Sequence, residues 1–178
     1  TANITYNHLN LPVKIIFPTG NITYLYNAAG QKVQKTVIET SSANTTTTEY
    51  LDGFQYKRVN LGTADLQFFP TQEGYAANKA GALSYVFQYK DHLWNVRLSY
   101  AKNASSGLDI IEENNYYAFG LEHQGYNNVP KMTYGNAAGE QYKYSGKEFQ
   151  DDNIGGLQLN LYDYGARNYD PALGRFAS

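Results

Sequence analysis

The C-terminal end of the chain gathers the side chains best suited to chemistry. The stretch LYDYGARNYDPALGRFAS, residues 161–178, combines three tyrosines, two aspartates and two arginines with a proline and two glycines. Asp163 and Asp170 suggest an aspartyl protease pair, in which two carboxylates share one proton at close range. Because they lie seven residues apart, they would meet only if the chain folded back between them. In the alternative interpretation both carboxylates accept hydrogen bonds from turn amides or from Arg167 and Arg175, and the tyrosines pack.

Candidate metal ligands are scattered along the chain. There is no cysteine, and no histidine has a partner at the i+4 spacing of a zinc-binding helix; the three histidines are His8, His92 and His123. The acidic groups at 109–113 and 151–152 lack the ligand spacing and the glycine of a calcium loop. No glycine-rich phosphate loop or nucleophile elbow is present. The sequence therefore predicts no catalytic residue, no metal and no cofactor.

Charge and hydropathy argue against two further classes of function. The formal net charge is −2 and the pI is about 5.9, so the chain lacks the basic surface that nucleic-acid binding requires. No apolar run approaches the ~20 residues that a membrane-spanning helix needs. The first ten residues carry no secretion signal, and a start at Thr1 without Met indicates a processed or excised piece. We therefore expect no nucleic-acid partner and no membrane span.

The abundant tyrosines indicate β-structure. The chain has 18 Tyr and 8 Phe but one Trp, and tyrosine suits the half-buried surface of a sheet. Residues 22–38, ITYLYNAAGQKVQKTVI, alternate with period two on both sides of an Asn/Gly turn, which predicts a hairpin. Residues 83–111 predict three successive antiparallel strands for the same reason. The polar run 39–50 predicts a loop or hairpin tip, and 64–83 at most a turn or two of helix.

Part of the first hairpin returns later in the chain. YNAAGQK at 26–32 reappears as GNAAGEQ at 135–141. Recurrence of a strand-turn-strand unit is typical of architectures that grow by adding hairpins. A single hairpin cannot bury its own apolar face, so the units must pack side by side.

Specific segments resemble a known family. YNHLNLPVKI and GNITYLYNAAGQKVQK resemble the tyrosine-aspartate (YD) repeats of bacterial Rhs proteins, with Asn27 where Asp is commoner. The later segments follow in the order seen in Rhs repeat-associated core proteins: YLDGFQY, LQFFPTQEGY, FQYKDHLWNVRLSY, ENNYYAFGLEHQGYN, YKYSGKEFQDD and LYDYGARNYDPALGRF. The closing motif is the most specific part of the resemblance, and its residues are Tyr162, Asp163, Gly165, Ala166, Arg167, Tyr169, Asp170, Pro171, Gly174 and Arg175.

The resemblance implies an all-β fold in which antiparallel β-hairpin (YD) repeats form a segment of an extended, spirally curved sheet or shell. It divides the chain into YD-type hairpins at 1–50, further shell hairpins at 51–160 and the start of the core or closing segment at 161–178. It also implies a secreted or cell-surface protein of bacterial competition, a polymorphic toxin whose shell encloses a toxic C-terminal polypeptide. The implied partners are that toxin, the remaining repeats, and secretion machinery or an immunity protein.

In several members of the family, self-cleavage machinery follows the GRF of the closing motif. Autoproteolysis would then need residues beyond Ser178, so the resemblance implies a non-enzymatic chain with structural closing-motif residues. The tyrosine alternation at 22–26 and 83–89 would line an inner face that holds the cargo.

A surface adhesin or carbohydrate-binding module is the rival interpretation, because exposed tyrosines and Trp94 could stack on sugar rings. Trp94 also departs from the family pattern, in which a glycine stands at this position. A tryptophan there implies either another turn geometry or tolerated strain.

Overall fold

The computed structural model describes residues 3–125 and 135–177, which form two antiparallel β-sheets. The large sheet is open, and its eleven strands pair in chain order. They are β1 Asn3–Tyr6, β2 Pro12–Phe17, β3 Gly20–Tyr26, β4 Lys32–Glu39, β5 Asn44–Leu51, β6 Phe54–Val59, β7 Asp65–Thr71, β8 Gly74–Lys79, β9 Ala82–Lys90, β10 Val96–Lys102 and β11 Leu108–Glu113. The small sheet contains β12 Glu148–Gln150, β13 Leu161–Asp163, β14 Asn168–Asp170 and β15 Arg175–Phe176. These sheets confirm the predicted all-β class of antiparallel hairpins in an open sheet.

Several corners of the large sheet share one kind of turn. Asn27 Oδ1 accepts hydrogen bonds from the amides of Ala29 and Gln31, both at 3.0 Å. The amide of Gly30, which has a φ of 78°, donates to the Asn27 carbonyl at 3.0 Å. The same bonds recur in three other turns, which begin at Asn7, Asp91 and Asn103. The repeated unit is therefore defined by an Asn or Asp at the first turn position, whose side chain satisfies the turn amides.

Trp94 occupies the left-handed position of one of these turns. Its φ is 64°, and its amide donates to the Asp91 carbonyl at 2.9 Å, as the Gly30 amide does to Asn27. The Cβ atom makes this backbone conformation unfavourable, because it approaches a backbone carbonyl oxygen. The sequence left open either another turn geometry or tolerated strain. The structure shows tolerated strain, in the same kind of turn as at Asn27.

One face of the large sheet is covered by the C-terminal segment, defined as residues 135–177. Ile154 of this segment completes an apolar cluster on the first strands, together with Ile15, Phe17, Ile22, Tyr24 and Val37. Ala138 and Tyr142 pack against a second cluster on the later strands, formed by Phe68, Tyr75, Ala77, Val86, Ala101 and Ile111. Burial of this apolar surface drives the C-terminal segment onto the sheet. We term this side of the large sheet the covered face and the opposite side the open face.

The predicted hairpin at 22–38 is confirmed by β3 and β4, and the three strands within 83–111 are confirmed by β9, β10 and β11. Of the loop or hairpin tip predicted at 39–50, only residues 40–43 form a hairpin tip, and the prediction is wrong for the strand that follows. β5 pairs with both β4 and β6 there, because the β-branched side chains of its threonine run suit a sheet. The region 64–83 contains β7, β8 and the start of β9, and none of it is helical.

The repeat predicted at 135–141 is also wrong. The Glu140 amide donates to the Asn136 carbonyl, which makes this turn one residue longer than the turn at Asn27. No described strand flanks it closely on either side. The similar sequence thus forms a different turn, although the Ala138 amide still donates to Asn136 Oδ1 at 2.9 Å as the Ala29 amide does to Asn27 Oδ1; its N-terminal flank, 126–134, lies outside the described residues.

The tyrosine alternation does not mark one face of the sheet. Ile22 and Tyr24 are buried on the covered face. On β9 the residue buried on that face is Val86, and Tyr85 and Tyr89 lie on the open face with 56% and 63% of their surface exposed. The hypothesis of a single tyrosine face is therefore wrong, because the tyrosines of β3 and β9 lie on opposite faces of the sheet. A period-two pattern gives the alternation but does not say which of its two faces is buried.

Candidate functional site: a buried ion cluster

Two lysines of β4 project onto the covered face. Lys35 pairs in register with Tyr24 of β3, and its side chain is buried. Residues three apart on a regular strand point to opposite faces. A bulge after Leu25 changes the register, so that Lys32 lies opposite Tyr26 and shares the covered face with Lys35. The bulge therefore creates a doubly positive site within an otherwise apolar surface.

The C-terminal segment supplies three carboxylates to these lysines. Lys32 Nζ lies 2.7 Å from Glu148 Oε2 and 2.6 Å from Asp163 Oδ2. Lys35 Nζ lies 2.6 Å from Asp152 Oδ2 and 3.9 Å from Glu148 Oε1. Antiparallel pairing of β12 with β13 places Glu148 opposite Asp163, so both reach the same ammonium group. These five side chains are termed the buried ion cluster.

Phenol and amide groups complete the polar shell of the cluster. Tyr50 Oη of β5 donates a hydrogen bond of 2.9 Å to Glu148 Oε1. The Tyr50 ring also lies under the Lys32 ammonium, 4.6 Å from it to the ring centre. Gln55 Nε2 donates to Tyr142 Oη at 3.0 Å. The buried charges are thus paired and hydrogen-bonded, which is the condition under which a protein interior tolerates them.

The electrostatics keep Lys32 and Asp163 ionised. Burial alone lowers the pKa of Lys32, but the charges of Glu148 and Asp163 outweigh it and hold that pKa well above its usual value. Burial alone raises the pKa of Asp163, but the Lys32 ammonium outweighs it and keeps that pKa below its usual range. A lysine that stays protonated is a poor nucleophile, and a carboxyl that stays ionised is a poor general acid. The arrangement is suited to fastening the segment rather than to catalysis.

A second set of contacts fastens the segment on either side of the cluster. Thr19 Oγ1 donates to the Ile154 carbonyl at 2.9 Å, at the end of the sheet formed by the β2–β3 corner. Lys143 Nζ lies 2.9 Å from Glu122 Oε1 and 3.6 Å from Glu112 Oε1 of β11. The C-terminal segment is therefore fixed by ion pairs or hydrogen bonds from β2 to β11.

The closing-motif residues meet in the small sheet. Tyr162 is buried within the C-terminal segment, and the Asp163 carboxylate accepts a 2.7 Å hydrogen bond from the Gly165 amide beside its contact with Lys32. Gly165 has a φ of 83°, which favours glycine at this turn. The Arg167 guanidinium lies over the Phe176 ring, 4.4 Å from its centre.

The second half of the motif forms another tight turn. Asp170 Oδ1 accepts hydrogen bonds from the Ala172 amide at 2.9 Å and the Leu173 amide at 3.1 Å. Pro171 is buried within this turn, Gly174 has a φ of 65°, and Arg175 is exposed opposite Asp170. On β14 next to it, Tyr169 Oη donates to the Phe119 carbonyl at 3.0 Å.

The two aspartates of the motif have separate partners. Asp163 binds Lys32 and the Gly165 amide, whereas Asp170 binds the amides of its own turn. Within residues 3–125 and 135–177, no ion pair joins either aspartate to Arg167 or Arg175. Sequence reasoning anticipated the turn amides but missed Lys32, because 131 positions separate it from Asp163.

Two kinds of structure are absent from the described residues. No group of three or more His, Asp or Glu side chains among them is arranged to hold a metal ion. No helix in this part of the chain is long and apolar enough to cross a membrane.

Fold and site define a class of protein: an open sheet of β-hairpins across which the chain's own C-terminal segment is fastened by buried charges. Toxin subunit YenC1 of Yersinia entomophaga is 30% identical to the chain in an alignment of 172 residues, and the match covers 88% of this chain and 16% of that protein. The solved structure described as the crystal structure of TcdB2-TccC3 matches 98% of this chain with a TM-score of 0.69 at 19% identity.

The comparisons cover only part of these relatives. The chain spans 16% of the length of YenC1 and 9% of the solved chain, and no family model matches it. The structural match shows a shared fold. Together with the similarity to a toxin subunit, it supports the Rhs-type resemblance drawn from the sequence.

Proposed function

We propose that the chain is a non-catalytic segment of the shell of a secreted Rhs-type toxin, which encloses a C-terminal toxic polypeptide during export and delivery. The observation that carries this proposal is the buried ion cluster, which holds the C-terminal segment across one face of an open hairpin sheet. A sheet with one face covered by the chain's own C-terminal segment is suited to form part of the wall of a shell. The similarity to a toxin subunit supports the same role.

The proposal assigns roles along the chain. Hairpins of the regions 1–50 and 51–160 would form the wall as far as β11, and β5 continues the same sheet across the boundary between them. Residues 161–178 would begin the closing segment, with Asp163, Gly165, Asp170, Pro171 and the other motif residues as structural supports. The partners would be the enclosed toxin, further repeats of the same protein, and secretion machinery or an immunity protein.

Protease protection tests containment in the intact protein, including any polypeptide that follows Ser178. We expect that downstream polypeptide to resist limited proteolysis, and we expect Lys32→Glu to make it cleavable by placing a third negative charge beside Glu148 and Asp163. Lys14→Glu is the matched control, since Lys14 is an exposed lysine of the same sheet. If the downstream polypeptide is cleaved equally fast in the parent and in both variants, containment is contradicted.

The enzymatic alternative predicts a released C-terminal fragment. The separate partners of Asp163 and Asp170 favour a structural role for both. Incubating the longer protein with and without Asp163→Asn and Asp170→Asn tests this interpretation. Loss of fragment release in either variant, with folding retained by circular dichroism, would favour participation in self-cleavage.

Carbohydrate binding is a second candidate, favoured by the exposure of aromatic side chains on the open face. Trp94 is 68% exposed and the Lys90 ammonium lies 5.9 Å from its ring centre. A glycan array with Trp94→Ala as the control separates the two functions. Containment predicts no saccharide binding, whereas a signal that Trp94→Ala abolishes would favour the adhesin.

A further inference from the structure

Three aromatic rings stack on the open face, on the strands β9 and β10. The Tyr100 ring lies between its neighbours, 5.6 Å from the Phe87 ring centre and 5.4 Å from that of Tyr89. The planes of Tyr89 and Tyr100 are inclined by only 27°, so the two rings lie face to face. Tyr89 is 63% exposed and Tyr100 is half-buried beside it. Two phenol rings are thus held in contact at a surface that solutes can reach.

Other tyrosine pairs in the described part of the chain differ in access and in hydrogen bonding. Tyr24 is buried and donates to Gln150, while its neighbour Tyr26 donates to the Pro12 carbonyl. Tyr169, which stacks with Tyr144 and contacts Tyr164, is buried and donates to the Phe119 carbonyl. Tyr24 and Tyr169 are thus buried, and the hydroxyls of Tyr24, Tyr26 and Tyr169 each donate to an acceptor that is not a phenol.

We propose that Tyr89 and Tyr100 form an intramolecular dityrosine cross-link when the protein meets a one-electron oxidant such as a haem peroxidase with hydrogen peroxide. Each phenol loses one electron and one proton to become a phenoxyl radical. The radicals join through a carbon–carbon bond between ring positions ortho to the oxygens, and the hydrogen on each coupling carbon moves to its oxygen. The protein loses two hydrogen atoms in total, and one hydrogen peroxide is reduced to two water molecules.

The cross-link would join β9 to β10 covalently on the open face. The chain contains no cysteine, so oxidation cannot give it a disulfide. Tyr89 and Tyr100 are close neighbours in space but not directly opposite, since Tyr100 pairs in register with Phe87 and Tyr89 with Leu98. Side chains at such diagonal positions are within reach of each other for aromatic residues. This inference does not depend on the proposed shell function.

Peroxidase treatment of the dilute chain tests the proposal. Trypsin separates the two tyrosines, because it cuts after Lys79, Lys90, Arg97 and Lys102. We expect one cross-linked product, residues 80–90 joined to 98–102, with the mass of the two peptides less two hydrogen atoms. We expect this product to be lost in Tyr89→Phe and in Tyr100→Phe but retained in Tyr85→Phe, whose ring is on the same strand and face.

Two further measurements keep the outcome decisive. Far-UV circular dichroism verifies that each phenylalanine variant is folded, and treatment in concentrated urea shows whether the pairing depends on the fold. Loss of the specific product in urea would support the proposal. Cross-linking that persists in Tyr89→Phe, that joins Tyr85, or that arises mainly between separate chains would overturn it.

Discussion

Replacing Lys32 by methionine removes one charge of the buried ion cluster and nearly preserves the length of the side chain. At 2.7 Å from Glu148 and 2.6 Å from Asp163, each attraction amounts to about 6 kcal/mol at an effective dielectric constant of about 20. Taking the three charges out of water offsets most of this gain. The substitution leaves two buried carboxylates, with Lys35 Nζ 3.9 Å from Glu148. We expect the free energy of unfolding to fall by about 3–5 kcal/mol, the typical cost of breaking a buried pair.

Urea denaturation followed by far-UV circular dichroism measures this change. The matched control is Lys14→Met, which removes an exposed lysine from β2 and should change the free energy of unfolding by less than about 0.5 kcal/mol. Adding Glu148→Gln and Asp163→Asn to Lys32→Met should recover much of the loss, because no unpaired charge then remains beside Lys32. If Lys32→Met and Lys14→Met lose the same amount, the cluster does not fasten the segment.

The effect of Lys32→Met should also depend on pH. The pKa of Asp163 is lower in the folded than in the unfolded chain, so its stabilisation is present above the unfolded pKa of about 3.9 and is lost as the pH falls through the folded value. The pKa of Lys32 is raised, so its stabilisation is fully present below about pH 10 and is lost only as the pH rises through the folded value. The difference between parent and variant should be constant between about pH 5 and 9 and shrink below about pH 4. An undiminished difference at about pH 3 would contradict the assigned ion pairs.

Three other substitutions test the turns and the ring contacts, with the free energy of unfolding from urea denaturation as the measurement. Trp94→Gly should raise it by roughly 0.5–1 kcal/mol, because glycine relieves the φ of 64°; a loss would mean that Trp94 makes contacts worth more than the strain. Asp91→Ala should lower it by about 1.5–3 kcal/mol, since three N–H groups donate to that carboxylate; no change would refute its role in the turn. Gly120→Ala should cost at least about 1 kcal/mol more than Gly81→Ala, since both glycines have positive φ but only at Gly120 would a Cβ meet a ring, 2.5 Å from Tyr144; equal losses would exclude the steric contribution.

Local signals in the sequence were sufficient to predict two hairpin regions of the large sheet. The alternation at 22–38 and 83–111 predicts strands because side chains on a pleated strand point alternately to its two faces. At several corners an Asn or Asp favours the turn, because its side chain bonds amides no more than four residues away. The threonine-rich run at 39–50 misled because polar composition resembles a loop, although threonine is β-branched and here pairs on both sides within the sheet.

The ion cluster could not be predicted in this way. Lys32 and Lys35 are three apart, a spacing that places them on opposite faces of a regular strand, and only the bulge after Leu25 brings them to the same face. Their acidic partners are more than a hundred residues away in sequence. The closing motif therefore showed that Asp163 was distinctive without showing that its partner lay on β4.

The sequence by itself determined the class of structure, an all-β chain of antiparallel hairpins with Asx-type corners, because these features depend on residues that are neighbours along the chain. Only the tertiary structure decided which face of the sheet is covered, since a period-two pattern is symmetric between its two faces. It buried Tyr24 and left Tyr89 exposed, and it joined Asp163 of the C-terminal segment to Lys32 of β4. Those outcomes depend on where a distant segment packs, and packing is a property of the whole folded chain.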